Sequence, residues 1–354
     1  MDPAIVRILE IGDHDYFKKQ YPDRTKLLWT GRKPPAALKS GAYQDCTPDR
    51  LIEAMRDARR GCYDVVITYA ILRSPWHPRN WLRSLARTPA SPIAALTRVF
   101  GVSLLRFLRS DVPVVALDMQ DTFTIDRSQF FLLDRAKLYF KRELPVDHWH
   151  AIYGSAHHDL PTLRIRRNRS WQARIAKLRP ISLPAGRIDV GEPEEVFAAK
   201  AFDVFFSGAV DQSSTVRRTG IRQLERLANR GLRIDISTER LPPQEFHRRM
   251  SRAWLAWSPS GLGWDCYRHY EAPQCLTVPV INYPTITRHQ PLEDGVHAIY
   301  YPPDGDGLER AIEAALMDKG RLKQMALAGR DHVRLHHGSA AFCDHVLRTA
   351  LGKC

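Results

Sequence analysis

The 354-residue chain is short of long apolar runs and of closely spaced cysteines. No apolar run approaches the ~20 residues needed to span a membrane. The opening residues, MDPAIVRILEIGDHD, have no basic stretch leading into an apolar core, so no signal peptide is expected. The six cysteines, Cys46, Cys62, Cys266, Cys275, Cys343 and Cys354, include no Cys-x-x-Cys pair. Thiols scattered in this way are expected to be reduced, with neither disulfides nor structural zinc. His-Glu-x-x-His is absent, and the adjacent pairs His157-His158 and His336-His337 are poorly spaced to share a metal. Together these absences lead to the expectation of a cytoplasmic protein.

Two nucleotide signatures are missing as well. No Gly-x-Gly-x-x-Gly follows the first apolar run at Ile5–Ile11, which disfavours a dinucleotide oxidoreductase. No Walker A loop occurs, which disfavours a P-loop kinase or ATPase. Acidic residues are missing from two stretches. Residues 71–110 hold Arg73, Arg79, Arg83, Arg87, Arg98, Arg106 and Arg109 and no Asp or Glu, with Trp76, Trp81, Phe100 and Phe107 between them. From Ile93 to Leu108 the apolar positions recur at roughly helical spacing. That pattern suits a helix resting on anionic lipid at the inner face of the cell membrane, and equally a helix packed on its own sheet. Residues 160–188 form the second acid-free run. With 53 basic against 39 acidic residues the formal charge is +14, which favours anionic partners. Nucleic acid is the less favoured of these, because no helix-turn-helix, zinc finger or RNA-recognition signature accompanies the charge.

What is present is a repeated alternation of short apolar runs with amphipathic stretches. Tyr63–Thr68, Val112–Asp118 and Lys137–Phe140 read as buried strands, as do Phe202–Ser207, Trp254–Trp257 and Val278–Ile281. Thr47-Pro48-Asp49 opens a helix that Gly61 closes, and Thr215–Asn229 is a second clear helix. Buried strands between helices predict parallel, doubly wound sheets. Proline and glycine gather near 180–200, which sets the expected boundary. An N-terminal Rossmann-like domain would span 1–185 and a C-terminal one 186–354. The last helix would pack back on the first domain.

The richest stretch runs from Trp257 through Ser258-Pro259-Ser260-Gly261-Leu262-Gly263 to Cys266-Tyr267-Arg268 and Glu271-Ala272, with Pro279-Val280 beyond. A glycine loop ahead of a helix offers free N–H groups to phosphate. In this register the Gly-rich loop, Arg268, Glu271-Ala272 and Pro279-Val280 resemble the nucleotide-sugar half of exostosin-like glycosyltransferases and of CgeB-like bacterial ones. The likeness covers about residues 200–340. It implies an α/β fold of two Rossmann-like domains facing a cleft, the GT-B type.

The resemblance implies that Glu271 holds the donor's ribose hydroxyls and that Arg268 meets its diphosphate. Gly261 and Gly263 would let the backbone approach the phosphates, and Ser258 and Tyr267 would line the same pocket. Gly208 ends a strand that should face it, and Arg218 is the expected second phosphate contact. Gly263 stands where many retaining enzymes of this fold carry a glutamate, so inversion is expected. The base for the acceptor hydroxyl is sought in the first domain, at Asp13, His14 or Asp118, with Asp121 beside the last. Asp13-x-Asp15 has metal-binding spacing but lies in the half not expected to bind the donor. No metal and no cofactor are therefore expected beyond the nucleotide-diphosphate sugar, which is a substrate. The acceptor is expected to be a glycan or a lipid-linked glycan. A sugar-nucleotide epimerase or hydrolase on the same fold stays open, as does a non-enzymatic membrane- or nucleic-acid-binding protein.

Overall fold

Strands whose every residue is buried need cover on both faces, and parallel sheets flanked by helices supply it. β1 (Ile8–Gly12), β4 (Val65–Tyr69) and β5 (Val114–Asp118) are of this kind. The computed structural model describes residues 6–31, 41–70, 112–152, 169–210 and 214–352, with the single positions 78, 82 and 105. Most of the basic stretch 71–110 therefore lies outside the described residues, as does 160–168 of the second one. Among the described residues no helix is long and apolar enough to cross a membrane.

The chain divides into two compact units, one of residues 1–181 with 343–354 and one of 182–342. In the first unit, α1 (Tyr16–Gln20) follows β1, and β2 (Thr25–Trp29), β3 (Gln44–Asp45) and α2 (Pro48–Arg59) precede β4. After β5 come α3 (Phe130–Arg135), β6 (Leu138–Lys141), α4 (Arg169–Ile175) and β7 (Leu178–Pro180). All strands are parallel in the order β3-β2-β1-β4-β5-β6-β7.

The second unit holds α5 (Pro193–Ala198), β8 (Phe202–Ser207), α6 (Thr215–Asn229), β9 (Ile234–Ser237), α7 (Pro243–Ser251) and β10 (Ala253–Trp257). It continues with α8 (Tyr267–Gln274), β11 (Val278–Asn282), β12 (Ile299–Tyr301), α9 (Gly307–Leu316) and α10 (Lys319–His336). Its parallel strands lie in the order β12-β11-β10-β8-β9. A last helix, α11 (Ser339–Leu351), closes the described chain. The predicted α/β class with parallel sheets is what the molecule shows. The short strands β2, β3, β7 and β12 were not expected from the sequence.

Each core has a close contact that fixes an element. In the second unit Trp257 is fully buried, its ring 4.5 Å from that of Phe206, and its Nε1 donates to Tyr301 Oη at 2.8 Å. Helix α6 crosses above it at Gly220, where a Cβ would lie 2.1 Å from the indole. In the first unit Glu10 is fully buried in the middle of β1. Its carboxylate accepts from Tyr69 Oη at 2.5 Å and from the backbone N–H groups of Lys18 at 2.8 Å and Phe17 at 3.3 Å, tying β1 to β4 and α1. Burial raises its pKa to about 7 although these donors oppose the shift.

Two outcomes follow. Gly220→Ala should cost about 1–3 kcal/mol by overpacking, more than the roughly 1 kcal/mol that alanine gains in a helix. An unchanged urea midpoint would mean that Trp257 yields freely. For Glu10 the folded form binds its proton more tightly than the unfolded one. The stability it contributes is present at low pH and is lost as pH rises from 4.5 through about 7. Glutamine does not titrate, so Glu10→Gln should gain about 3 kcal/mol relative to wild type between pH 4 and 8. A pH-independent difference between the two denaturation series would refute this.

Candidate active site

Parallel sheets open a crevice where neighbouring strands send their chains to opposite faces, at the carboxy ends. The strand orders place one such point between β1 and β4 and the other between β8 and β10. The second is where the glycine loop begins. Ser207-Gly208 ends β8, and Ser258 follows β10. The loop is pinned to the end of β11. Ser260 N donates to Asn282 Oδ1 at 2.8 Å, and Trp264 Nε1 donates to the Asn282 carbonyl at 2.9 Å. Gly261 N donates to Gly263 O at 2.9 Å and tightens the turn.

Two guanidiniums converge on this loop. Arg268 is 9% exposed and donates through Nη2 to the Ser207 carbonyl, with its guanidinium carbon 5.0 Å from the Phe206 ring centre. Its Nε and Nη1 are buried and make no hydrogen bond. Arg217 donates to the Ser260 carbonyl at 3.2 Å and to the Ala209 carbonyl at 2.9 Å. Ser214 caps α6, accepting from Arg217 N at 3.4 Å, and its hydroxyl donates to the same Ser260 carbonyl at 3.0 Å. A Cβ at Gly208 would stand 2.9 Å from Arg268 Nη2, and one at Gly261 2.8 Å from Arg217 Nη2. Glycine is therefore what lets the arginines in. Burial lowers the pKa of both against an opposing pull from Cys266, and for Arg268 the like charge of Arg217 lowers it further while Glu271 opposes.

The start of α8 carries a second cluster. Ser258 Oγ lies 2.7 Å from His269 Nδ1, and Cys266 Sγ lies 3.6 Å from the same nitrogen and 3.5 Å from Ser258 Oγ. His269 Nε2 donates to the Trp264 carbonyl at 2.9 Å, which leaves Nδ1 as the acceptor of a neutral ring. Burial would push the Cys266 thiol up, but His269, Arg268 and Ser258 together bring it down to about 6. The imidazole in turn is raised, because the Cys266 charge and hydrogen bond outweigh burial.

The expected site residues of this half, Gly208, Ser258, Gly261, Gly263, Tyr267, Arg268 and Glu271, lie on the loop, the end of β8 and helix α8. Tyr267 is exposed, and Glu271 sits one helical turn beyond, its Oε1 3.6 Å from His247 Nε2 on α7. The exception is Arg218. It is exposed, and its neighbour Arg217 reaches the loop instead. The sequence carried that signal, since Arg217 falls on the helical face of Gly220 and Leu224, both buried. His247 and His269 had no comparable mark.

In the first unit the other crevice holds Asp13 and His14, just past β1. His14 Nδ1 is 2.9 Å from Asp13 Oδ1, and its ring stacks on Tyr69 at 4.8 Å. An ionised carboxylate can only accept, so Nδ1 carries the hydrogen and Nε2 is the accepting nitrogen of the neutral ring. Asp118 is placed differently. Its Oδ2 accepts from Lys141 Nζ at 2.9 Å and from Tyr139 Oη at 3.0 Å, with Lys141 fully buried and Asp118 nearly so. Asp118 Oδ1 also accepts from Gln120 N at 3.1 Å, so the buried carboxylate is engaged on both oxygens, and this expectation is corrected: Asp118 belongs to a structural ion pair. Asp121 pairs with Arg142. Among the described residues no cluster of three or more His, Cys, Asp or Glu could hold a metal ion.

No family model and no curated protein sequence matches the chain. Solved structures do. Sucrose-phosphate synthase from Thermosynechococcus elongatus superposes with a TM-score of 0.53 at 12% identity, over 98% of this chain and 99% of that one. An alpha-glucosyltransferase, solved with UDP and a mismatched 13-mer DNA, gives 0.51 at 10% identity, over 98% and 100%. The fold is the GT-B fold. At such identities the likeness is one of fold, and the site must be argued from its own residues.

An arginine buried for a ligand and an arginine buried for stability respond differently to replacement. Arg268→Met should leave the ligand-free protein as stable as wild type or more so, because a poorly paired buried charge is removed. It should also abolish the rise in melting temperature that pyrophosphate gives the wild type. A large loss of ligand-free stability with the pyrophosphate effect intact would assign Arg268 to the scaffold.

Proposed function

We propose that this chain is a glycosyltransferase. It would bind a nucleotide-diphosphate sugar at the carboxy ends of β8 and β10 and transfer the sugar to a hydroxyl of a glycan or lipid-linked acceptor. The observation that carries the reading is the pair Arg217 and Arg268, brought to a crevice by two glycines, with two buried N–H-bearing nitrogens of Arg268 unpaired. Guanidinium and phosphate match in charge and geometry. The GT-B fold supports the reading, as does the UDP in the alpha-glucosyltransferase structure.

The chemistry assigns each group a part. As the anomeric carbon–oxygen bond breaks, negative charge grows on the leaving diphosphate. Cations fixed there before the reaction stabilise the transition state more than the ground state. Glu271 would accept hydrogen bonds from the ribose diol. His14, oriented by Asp13, would take the acceptor's proton through Nε2. The transfer is read as inverting and independent of metal, with the arginines and helix N–H groups meeting the leaving charge. The acid-free stretch 71–110 is the candidate contact for an anionic membrane carrying the acceptor.

Thermal shift with UDP tests the donor site, and Glu271→Ala should lose most of the stabilisation. Equal shifts in both proteins would remove Glu271 from the site. Donor turnover tests the reaction: His14→Ala should lower kcat about 10²- to 10⁴-fold while UDP binding stays as in wild type. Donor consumption that proceeds equally without any acceptor would point instead to a hydrolase or an epimerase.

A further inference from the structure

Cys46, Cys275 and Cys343 are buried, Cys62 is exposed, and Cys266 is half-buried at the N-cap of α8. Among the described cysteines, Cys266 is the one with an imidazole and a hydroxyl beside its sulfur: His269 Nδ1 at 3.6 Å and Ser258 Oγ at 3.5 Å. Because His269 Nε2 is committed to the Trp264 carbonyl, Nδ1 is the accepting nitrogen, which the Ser258 hydroxyl meets at 2.7 Å and to which the thiol can pass its proton in exchange. The Ser258 hydroxyl can then turn its hydrogen toward sulfur. Two residues on, Arg268 brings a buried guanidinium whose Nε and Nη1 have no partner, so an anion in this turn is favoured twice over.

We propose that Cys266 is a nucleophilic thiolate paired with His269, a modification site for soft electrophiles and peroxides, and that occupying it blocks the anion pocket of the glycine loop. The blocking half rests on the donor-site reading. With an alkyl halide, a carbon–sulfur bond forms as the carbon–halogen bond breaks and halide leaves. With a peroxide, sulfur attacks one oxygen and the O–O bond breaks. Sulfur loses two electrons and becomes a sulfenic acid, keeping the attacked oxygen's hydrogen, and the second oxygen leaves and takes the proton held by His269. Either product adds bulk to the turn that carries Arg268.

The test uses the full chain with Cys62→Ser. Iodoacetamide alkylation of Cys266 is followed by peptide mass spectrometry from pH 5.5 to 9, with free N-acetylcysteine as the ordinary thiol. At pH 6 Cys266 should react about tenfold faster than the reference, the larger thiolate fraction outweighing its lower intrinsic nucleophilicity. Its rate should level off near pH ~7. UDP at ten times its calorimetric Kd should slow it about tenfold, since only the free site reacts. A rate that tracks N-acetylcysteine across the range overturns the thiolate. UDP that binds yet leaves the rate unchanged overturns the blocking. UDP that does not bind sinks the donor reading and the blocking with it, while a plateau at low pH still supports the thiolate. His269→Gln should move the plateau upward. The wild-type profile decides the matter if that variant fails to fold.

Discussion

A buried cation with unfilled hydrogen-bond donors is costly, and the glycine-loop half of this chain is arranged around one. Arg268 sits over the Phe206 ring with one hydrogen bond to a carbonyl, and Arg217, of the same sign, stands near it. Their hydrogen bonds go to dipoles: the carbonyls of Ser207, Ser260 and Ala209. Much of the surrounding structure follows from that choice. Gly208 and Gly261 must lack side chains because the guanidiniums fill that space. Asn282 must hold the loop because the loop carbonyls have to face the arginines. The packing of Trp257 against Phe206 and Gly220 supplies the stability that this arrangement consumes.

The first unit shows how the same kinds of groups look when their charges are met. Asp118 and Lys141 are adjacent partners on β5 and β6, both out of water, with Tyr139 satisfying the carboxylate further. Breaking one side of such a pair leaves the other uncompensated, so its role is to hold the two strands. Glu10 is likewise saturated, with Tyr69 and two N–H groups on its oxygens. Asp13 and His14 differ from both. They are partly exposed, at 55% and 29%, and their pairing leaves one ring nitrogen turned away from the carboxylate.

The sequence made some of this legible and hid the rest for physical reasons. Tyr63–Thr68 and Val112–Asp118 were readable as strands because a strand covered on both faces is apolar without a break. Thr25–Trp29 starts with Thr and Lys, and Leu178–Pro180 is three residues ending in proline, so neither carries a period. The glycine loop and Arg268 were visible because their spacing is local. Choosing Arg217 over Arg218 required the helical phase of α6, which Gly220 and Leu224 record. Asp118 passed for a base because Lys141 lies 23 residues further on, and only the strand register puts the two side by side. The contact of Cys266 with Ser258 was hidden for a related reason, since a strand end and a helix cap must meet across a loop.

The two sheets carry opposite chemistry at equivalent places. Each has a crevice where its strand order reverses, and each crevice gathers polar groups at strand ends, as parallel sheets do. In the second unit those groups are cations whose hydrogen-bonding capacity is unfilled, which suits them to an anion whose charge increases during reaction. In the first unit they are an imidazole and the carboxylate that sets its tautomer, which suits them to take up a proton. The transfer proposed above needs both services. A guanidinium beside the base would lower its proton affinity. A chain that repeats one architecture twice can build both kinds of site from the same kind of strand end.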